Sequence, residues 1–179
     1  MVSAPDVAEV RRAVEAVPDP ELPPVTIGML GMVHDLAVGP DGEVEVLLLP
    51  TYTGCPATEM IARDVVAALD GVAGVSDVRV RFTFDPPWSA DRIDEAGRRA
   101  LRGFGITPPG GPVTGAARPE GRPTLPLAEL PGDAPGRAPR PCPYCGSTDT
   151  VLDSPFGPTP CRDVRTCRSC RQPFEAFKA

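Results

Sequence analysis

Six cysteines carry most of the chemistry available to this sequence. Four fall into two pairs, Cys142-Pro143-Tyr144-Cys145 and Cys167-Arg168-Ser169-Cys170, with 21 residues between the pairs. Two thiolates separated by two residues can both point inward from a tight turn. Two such knuckles brought together make a closed tetrahedral S₄ site. Residues 140–179 contain few large apolar groups, so this segment needs a staple to fold. Disulfides rarely supply one in a reducing compartment. The expected staple is therefore a structural Zn²⁺ on Cys142, Cys145, Cys167 and Cys170, with iron, a cluster or redox disulfides as alternatives. Four thiolates leave no open coordination position, so the metal would not be catalytic.

A fifth cysteine stands alone in Thr51-Tyr52-Thr53-Gly54-Cys55-Pro56, between an expected strand and an expected helix. Pro56 suits the first helical position and makes Cys55 the expected N-cap, where backbone N–H groups and the positive helix end favour thiolate. Cys55 is thus a candidate nucleophile or soft-metal ligand; the plainer reading is a structural cysteine filling a tight corner. Asp19 and Glu21 could add carboxylates beside it, although their proline-bounded turn explains them equally well. His34 lies in an expected strand and reads as structural, so no base is evident for a cysteine hydrolase. A thiol redox enzyme is disfavoured because no resolving cysteine lies close in sequence. Cys161 reads as a small buried residue. Trp88 reads equally as a partner-binding aromatic or a lid on the core.

Composition narrows the field. With one histidine among 179 residues, two-histidine metal centres are excluded. Neither GxxxxGK[ST] nor GxGxxG occurs, so nucleotide binding through those loops is unsupported. No apolar run approaches membrane-helix length, and the first twenty residues are charged throughout, so a soluble, cytoplasmic protein is expected. Residues 1–111 hold 9 Arg against 17 Asp and Glu, a net −8, which argues against nucleic acid as a main partner. Residues 140–179 hold 6 basic and 4 acidic side chains, a net +2.

The elements that must position these groups follow from periodicity. Val7, Val10, Ala13, Val14 and Val17 recur at helical spacing and predict a helix over 6–17, ended by Pro18. Asp19–Pro24 reads as a rigid extended connection. Strands are expected at Met32–Val38 and Glu43–Leu49 around the turn Gly39–Gly42, and again over 78–84, where Val78, Val80, Phe82 and Phe84 alternate with polar residues. A helix over 56–69 presents Ala57, Met60, Ile61, Val65, Ala68 and Leu69. A last one, over 90–102 with Ser89 as N-cap, presents Ile93, Ala96, Ala100 and Leu101. The order α-β-β-α-β-α predicts a small α+β domain over 1–107. Residues 108–139, rich in proline and glycine, read as a flexible linker, and 140–179 as the Cys₄ zinc ribbon.

Asp19-Pro20-Glu21-Leu22-Pro23, Thr26-Ile27-Gly28-Met29-Leu30-Gly31-Met32-Val33, Thr51–Pro56 and Pro86-Pro87-Trp88 occur in an order that resembles the SufT-like family of iron–sulfur assembly factors, over about residues 5–109. With Phe156-Gly157, Cys161-Arg162, the four ribbon cysteines and Pro173-Phe174-Glu175-Ala176-Phe177-Lys178 added, the whole chain is similar to the PaaD (PaaJ) family of phenylacetyl-CoA epoxidase subunits. That resemblance implies a place in aerobic phenylacetate degradation. There a diiron oxygenase forms the ring 1,2-epoxide of phenylacetyl-CoA and is fed by a reductase carrying flavin and a 2Fe–2S cluster. It implies an accessory factor, not an enzyme by itself, that helps insert or maintain the reductase's cluster. Cys55 would be the iron or cluster contact, with Asp19 and Glu21 as support and transient iron or an iron–sulfur cluster as cargo. The implied partners are the epoxidase components, the reductase above all, and the iron–sulfur assembly machinery. The alternative is a non-catalytic structural adaptor within the epoxidase complex. The residues agree in one respect: a chain with a single histidine cannot supply a diiron bundle.

Overall fold

The computed structural model describes residues 4–109 and 140–178, and the chain divides into two compact units, Met1–Phe104 and Gly105–Ala179. In the first unit, α1 (Val7–Glu15) begins where Asp6 Oδ1 accepts the Ala8 N–H at 3.0 Å. It buries Val10 and Val14, whereas Val7, expected on the same stripe, is half exposed in the first turn. The proline-bounded connection is a hairpin, not a spacer. β1 (Pro18–Asp19) pairs antiparallel with β2 (Leu22–Thr26), and Asp19 Oδ1 turns the chain by accepting the Glu21 N–H at 2.8 Å.

The main sheet has the order β3 (Val33–Val38), β4 (Glu43–Leu48), β5 (Asp77–Phe82). β3 and β4 form an antiparallel hairpin, closed by Gly39 N–H donating to the Glu43 carbonyl at 2.7 Å. β4 and β5 are parallel, so a crossover must join them, and α2 (Thr58–Leu69) is that crossover. The core gathers Val44, Val46 and Leu48 from β4 with Ile61, Val65 and Leu69 from α2, and α1 packs against α2 and β3. Met60, expected in the apolar stripe, faces solvent instead.

The last helix starts later than its sequence suggests. Ser89 precedes a short 3₁₀ turn, Ala90–Arg92, and α3 (Glu95–Gly103) begins at Asp94, whose Oδ1 accepts the Gly97 N–H at 2.6 Å. Asp94 wins the cap because its side chain satisfies a first-turn donor, which Ser89 does not. Ile93, Gly97 and Leu101 are buried, while Ala96 and Ala100 are half-buried. Trp88 is the lid of its two readings: half-buried, with Nε1 donating to the Leu30 carbonyl at 2.8 Å.

The second unit is a four-stranded sheet in the order β6 (Ile106–Thr107), β9 (Pro173–Phe177), β8 (Arg162–Cys167), β7 (Thr150–Ser154). The β7–β8 and β8–β9 pairs are antiparallel, whereas β6 lies parallel to β9, Ile106 opposite Glu175 and Thr107 opposite Ala176. Ile106 and Thr107, which the periodicity assigns to the end of the first domain, therefore belong to the ribbon's sheet. The linker expected over 108–139 lies, from residue 110 onward, outside the described residues. Cys142, Cys167, Phe174 and Ala176 form a small core. Arg165 is fully buried, its Nε 2.8 Å and its Nη2 3.1 Å from the two oxygens of Asp163 on the same strand face. Among the described residues no helix is long and apolar enough to cross a membrane.

Candidate metal centre

Each ribbon knuckle is shaped by its backbone. Cys142 N–H donates to the Ser147 carbonyl at 2.9 Å, and the return is made at Gly146, whose φ of +75° suits a residue without Cβ. The second knuckle follows β8 directly: Cys167 N–H donates to the Gln172 carbonyl at 3.0 Å, and Arg171 adopts φ 62° at the equivalent return. Ser147 and Ser169 hydroxyls lie 2.7 Å apart and tie the two knuckles together.

The result brings Cys142, Cys145, Cys167 and Cys170 into one group, every Sγ within 4.8 Å of the others. Cys145 and Cys167 Sγ stand 3.6 Å apart, and Cys142 and Cys170 Sγ 3.7 Å apart. A tetrahedral ion with metal–sulfur bonds of about 2.3 Å needs edges of about 3.8 Å. Two of the six edges match that length, and the other four, all within 4.8 Å, need at most a small contraction around such an ion. Among the described residues this is the only group of three or more His, Cys, Asp or Glu side chains gathered closely enough to hold a metal ion. Cys142 and Cys167 are buried, Cys170 is half-buried and Cys145 faces solvent.

Crowding sets the protonation of the metal-free thiols. The Cys170 N–H, helped by neighbouring thiols, lowers Cys167 to about 7 against the desolvation that opposes it. Cys170 receives the Gln172 N–H, which pulls it down, but desolvation and the Cys167, Cys145 and Cys142 thiols outweigh this and push it up to about 12. Cys145 is likewise raised: the Ser147 N–H lowers it, and desolvation with Cys167 and Cys142 overcomes that pull. Four thiolates this close cannot coexist without a cation between them. With one bound, the coordination shell is closed, so the site can hold the ribbon together but offers no position for a substrate.

Cys55 is placed differently from its expected capping role. α2 begins at Thr58 with Ala57 in the cap position and no side-chain cap. Cys55 lies one turn upstream, its N–H donating to the Tyr52 carbonyl at 3.2 Å and its carbonyl accepting the Thr58 hydroxyl at 3.1 Å. Thr58, by reaching back to Cys55, closes a turn where the helix would otherwise have started. The thiol is half-buried in the loop that follows the carboxyl end of β4, next to the parallel strand β5. Asp19 is buried on β1 and Glu21 half-buried in the adjoining turn. His34 is exposed on β3. Cys161 is 5% exposed, with its Sγ 3.1 Å from Thr159 Oγ1. No disulfide joins any of the six cysteines.

The buried Arg165–Asp163 pair is absent from the sequence-based expectations. Its signal lies in Arg162-Asp163-Val164-Arg165, where period two puts opposite charges on one face of a strand.

Comparison with known proteins places both units. Residues 7–82 match the family of iron–sulfur cluster assembly proteins, and residues 132–178 match the PaaD zinc beta ribbon domain. A solved domain of unknown function, DUF59, from Bacillus anthracis matches with a TM-score of 0.50 and 33% identity over 52% of this chain and 89% of that one. An Fe-S protein maturation auxiliary factor of Porphyromonas gingivalis is 37% identical over 49% of this chain and 82% of its own length. Fold and site together thus define an iron–sulfur-assembly-type α+β domain joined to a Cys₄ ribbon. An Escherichia coli K12 protein, provisionally named as a component of 1,2-phenylacetyl-CoA epoxidase, shares both parts: it is 36% identical over 99% of this chain and 95% of its own. The chain belongs to the PaaD family of phenylacetyl-CoA epoxidase components.

Proposed function

We propose that this chain is an accessory factor of a phenylacetyl-CoA epoxidase system, acting in the cytoplasm to assemble or maintain the iron–sulfur cluster of the reductase component. The observation that carries this reading is the end-to-end match to an epoxidase component in a chain whose first unit matches iron–sulfur assembly proteins. In this reading the four ribbon thiols hold a structural Zn²⁺, for which their spacing is suited. The cargo is iron or a cluster, contacted by the half-buried Cys55 and supported by Asp19 and Glu21. The division of labour follows from coordination chemistry, because the closed S₄ group has nothing left to offer a transferred cluster.

A second reading, a structural adaptor, is favoured by one observation: backbone hydrogen bonds build Cys55 into the turn ahead of α2, its N–H donating to the Tyr52 carbonyl and its carbonyl accepting the Thr58 hydroxyl. The two are separated in a strain lacking the gene by measuring cluster occupancy in the reductase. Restoration by the wild-type chain and failure of Cys55→Ala, with zinc content and association unchanged, supports assembly. Full restoration by Cys55→Ala leaves the adaptor.

A further inference from the structure

The loop between β7 and β8, Pro155-Phe156-Gly157-Pro158-Thr159-Pro160-Cys161, is built to hold one side chain in water. Phe156 N–H donates to Ser154 Oγ at 3.1 Å, and that hydroxyl donates to the Phe156 carbonyl at 2.8 Å. Gly157 N–H donates to the Arg162 carbonyl at 2.9 Å, and a Cβ on Gly157 would stand 2.9 Å from the same oxygen. Arg162 closes the base through Nε to Thr159 Oγ1 at 2.8 Å and through Nη1 to Glu175 at 2.7 Å. Lys178 clasps the far side, its N–H on the Cys161 carbonyl at 2.7 Å and its Nζ on the Pro160 carbonyl at 2.9 Å.

Phe156, which all of this supports, is 78% exposed, with the Lys178 ammonium 5.5 Å from its ring centroid. A phenyl group left in water adds nothing to the core. The backbone beneath it is already held by three prolines and a double hydrogen bond, so the loop would lose little entropy when the ring enters a pocket, which is a property of an interface anchor. The cation beside the ring, on a ribbon of net charge +2, selects a pocket that is apolar inside and acidic at its rim. A single aromatic with a single lysine is not the row of stacking platforms that single-stranded nucleic acid requires.

We propose that Phe156 and Lys178 form a docking knob that inserts into an acid-rimmed apolar pocket on a protein component of the epoxidase system; this rests on the accessory-factor reading above. The test measures the affinity of the full-length, zinc-loaded chain for purified epoxidase components of the same organism, with zinc content and self-association determined for every variant. Phe156→Ser is expected to weaken binding at least about 30-fold and Phe156→Trp by no more than a few-fold. Lys178→Glu should weaken it about tenfold and flatten its salt dependence, while Lys178→Arg should not. Wild-type affinity in Phe156→Ser overturns the knob and leaves the accessory reading standing. Failure of the wild-type chain to bind any component removes that reading and this occupant with it. A dimer, or oligonucleotide binding, that depends on Phe156 replaces the proposed partner and overturns the proposal. If Phe156→Ser loses zinc, Lys178→Glu decides, and unchanged affinity in that variant overturns it.

Discussion

The Arg92 side chain closes over Gly31. Its Nε donates to the Gly31 carbonyl at 2.6 Å and its Nη2 to the Val33 carbonyl at 3.1 Å, while a Cβ on Gly31 would collide with the carbonyl oxygen of Arg92 itself. Gly31 also has φ +63°. The segment ahead of β3 and the segment ahead of α3 are thus held at backbone contact, and the Trp88 indole seals the same place from Leu30.

Gly31→Ala should therefore cost about 2 kcal/mol or more, combining a left-handed backbone with an overpacked contact. Urea unfolding followed by the fluorescence of Trp88, the single tryptophan, reports on this unit alone. A midpoint equal to wild type would show that the two segments can separate without loss.

For the ribbon, about one zinc per chain is expected, with all four thiols protected from titration until the metal is removed. In the metal-free site Cys167 titrates at about 7 and Cys170 at about 12, and Cys145 is raised as well, so zinc entering at neutral pH must displace the protons of Cys145 and Cys170 at the least. Protons compete more strongly as pH falls, and below about 7 Cys167 joins the protonated set. Zinc affinity should drop steeply from pH 8 to pH 6, as chelator competition measures. A flat profile, or a metal-free ribbon with oxidised cysteines, would contradict the site.

Cys55 should react with an alkylating reagent at least about tenfold faster than Cys161 in zinc-loaded protein. The reason is access, since Cys55 is half-buried in a turn and Cys161 is 5% exposed against Thr159. Site-by-site mass spectrometry gives the rates. Equal slow labelling would return Cys55 to a purely structural role.

Local signals make the main sheet, α1, α2 and the cysteine knuckles legible, because each is written in a periodicity or a spacing within a few dozen residues. What stays hidden depends on competition or distance. Ala57 displaces Cys55 from the cap of α2 through the Thr58 hydroxyl, and Asp94 outcompetes Ser89 for α3; either choice is locally reasonable until hydrogen bonds decide. β2 contains two prolines and reads as a spacer, but its partner β1 is short enough to pair around them. β6 is two residues long and meets Glu175 and Ala176 far along the chain, beyond the reach of any pattern. Cys55 is legible as a residue of interest, though its surroundings are not.

The Arg165–Asp163 pair gives a stability prediction. Its side chains are 0% and 6% exposed, and Arg140 lies nearby, its pKa lowered by burial first and then by Arg165, with Asp163 acting against them. Asp163→Ala would leave two guanidinium groups without their shared carboxylate and should cost about 3–5 kcal/mol. Replacing both partners with apolar residues should cost much less. Thermal melting of the zinc-loaded chain distinguishes these outcomes, and equal losses would show that charge compensation is not what the pair provides.

The place of β6 determines where the chain can be divided. A fragment of residues 1–104 keeps every strand and helix of the first unit and should fold alone, with Trp88 half-buried as in the whole chain. Extending it to Thr107 adds two residues whose partners lie in the ribbon, so it should gain nothing. The ribbon is the sensitive side. A fragment of residues 140–179 has all four thiols but lacks Ile106 and Thr107, which cover the edge of β9, and loses the 2.7 Å hydrogen bond from Thr107 Oγ1 to the Pro141 carbonyl. That hydrogen bond anchors the residue next to Cys142, and Ile106 is buried at 2% exposure. Burying one isoleucine contributes about 1.5–3 kcal/mol. The shorter fragment should therefore bind one zinc but yield it to a chelator about tenfold faster than residues 105–179, and melt at a lower temperature. Supplying Ile106 and Thr107 as a separate peptide should restore little, because the ordering entropy saved by covalent attachment is lost. Identical chelator rates for the two fragments would show that β6 is an ornament on the sheet, and would move the functional boundary of the ribbon back to residue 140.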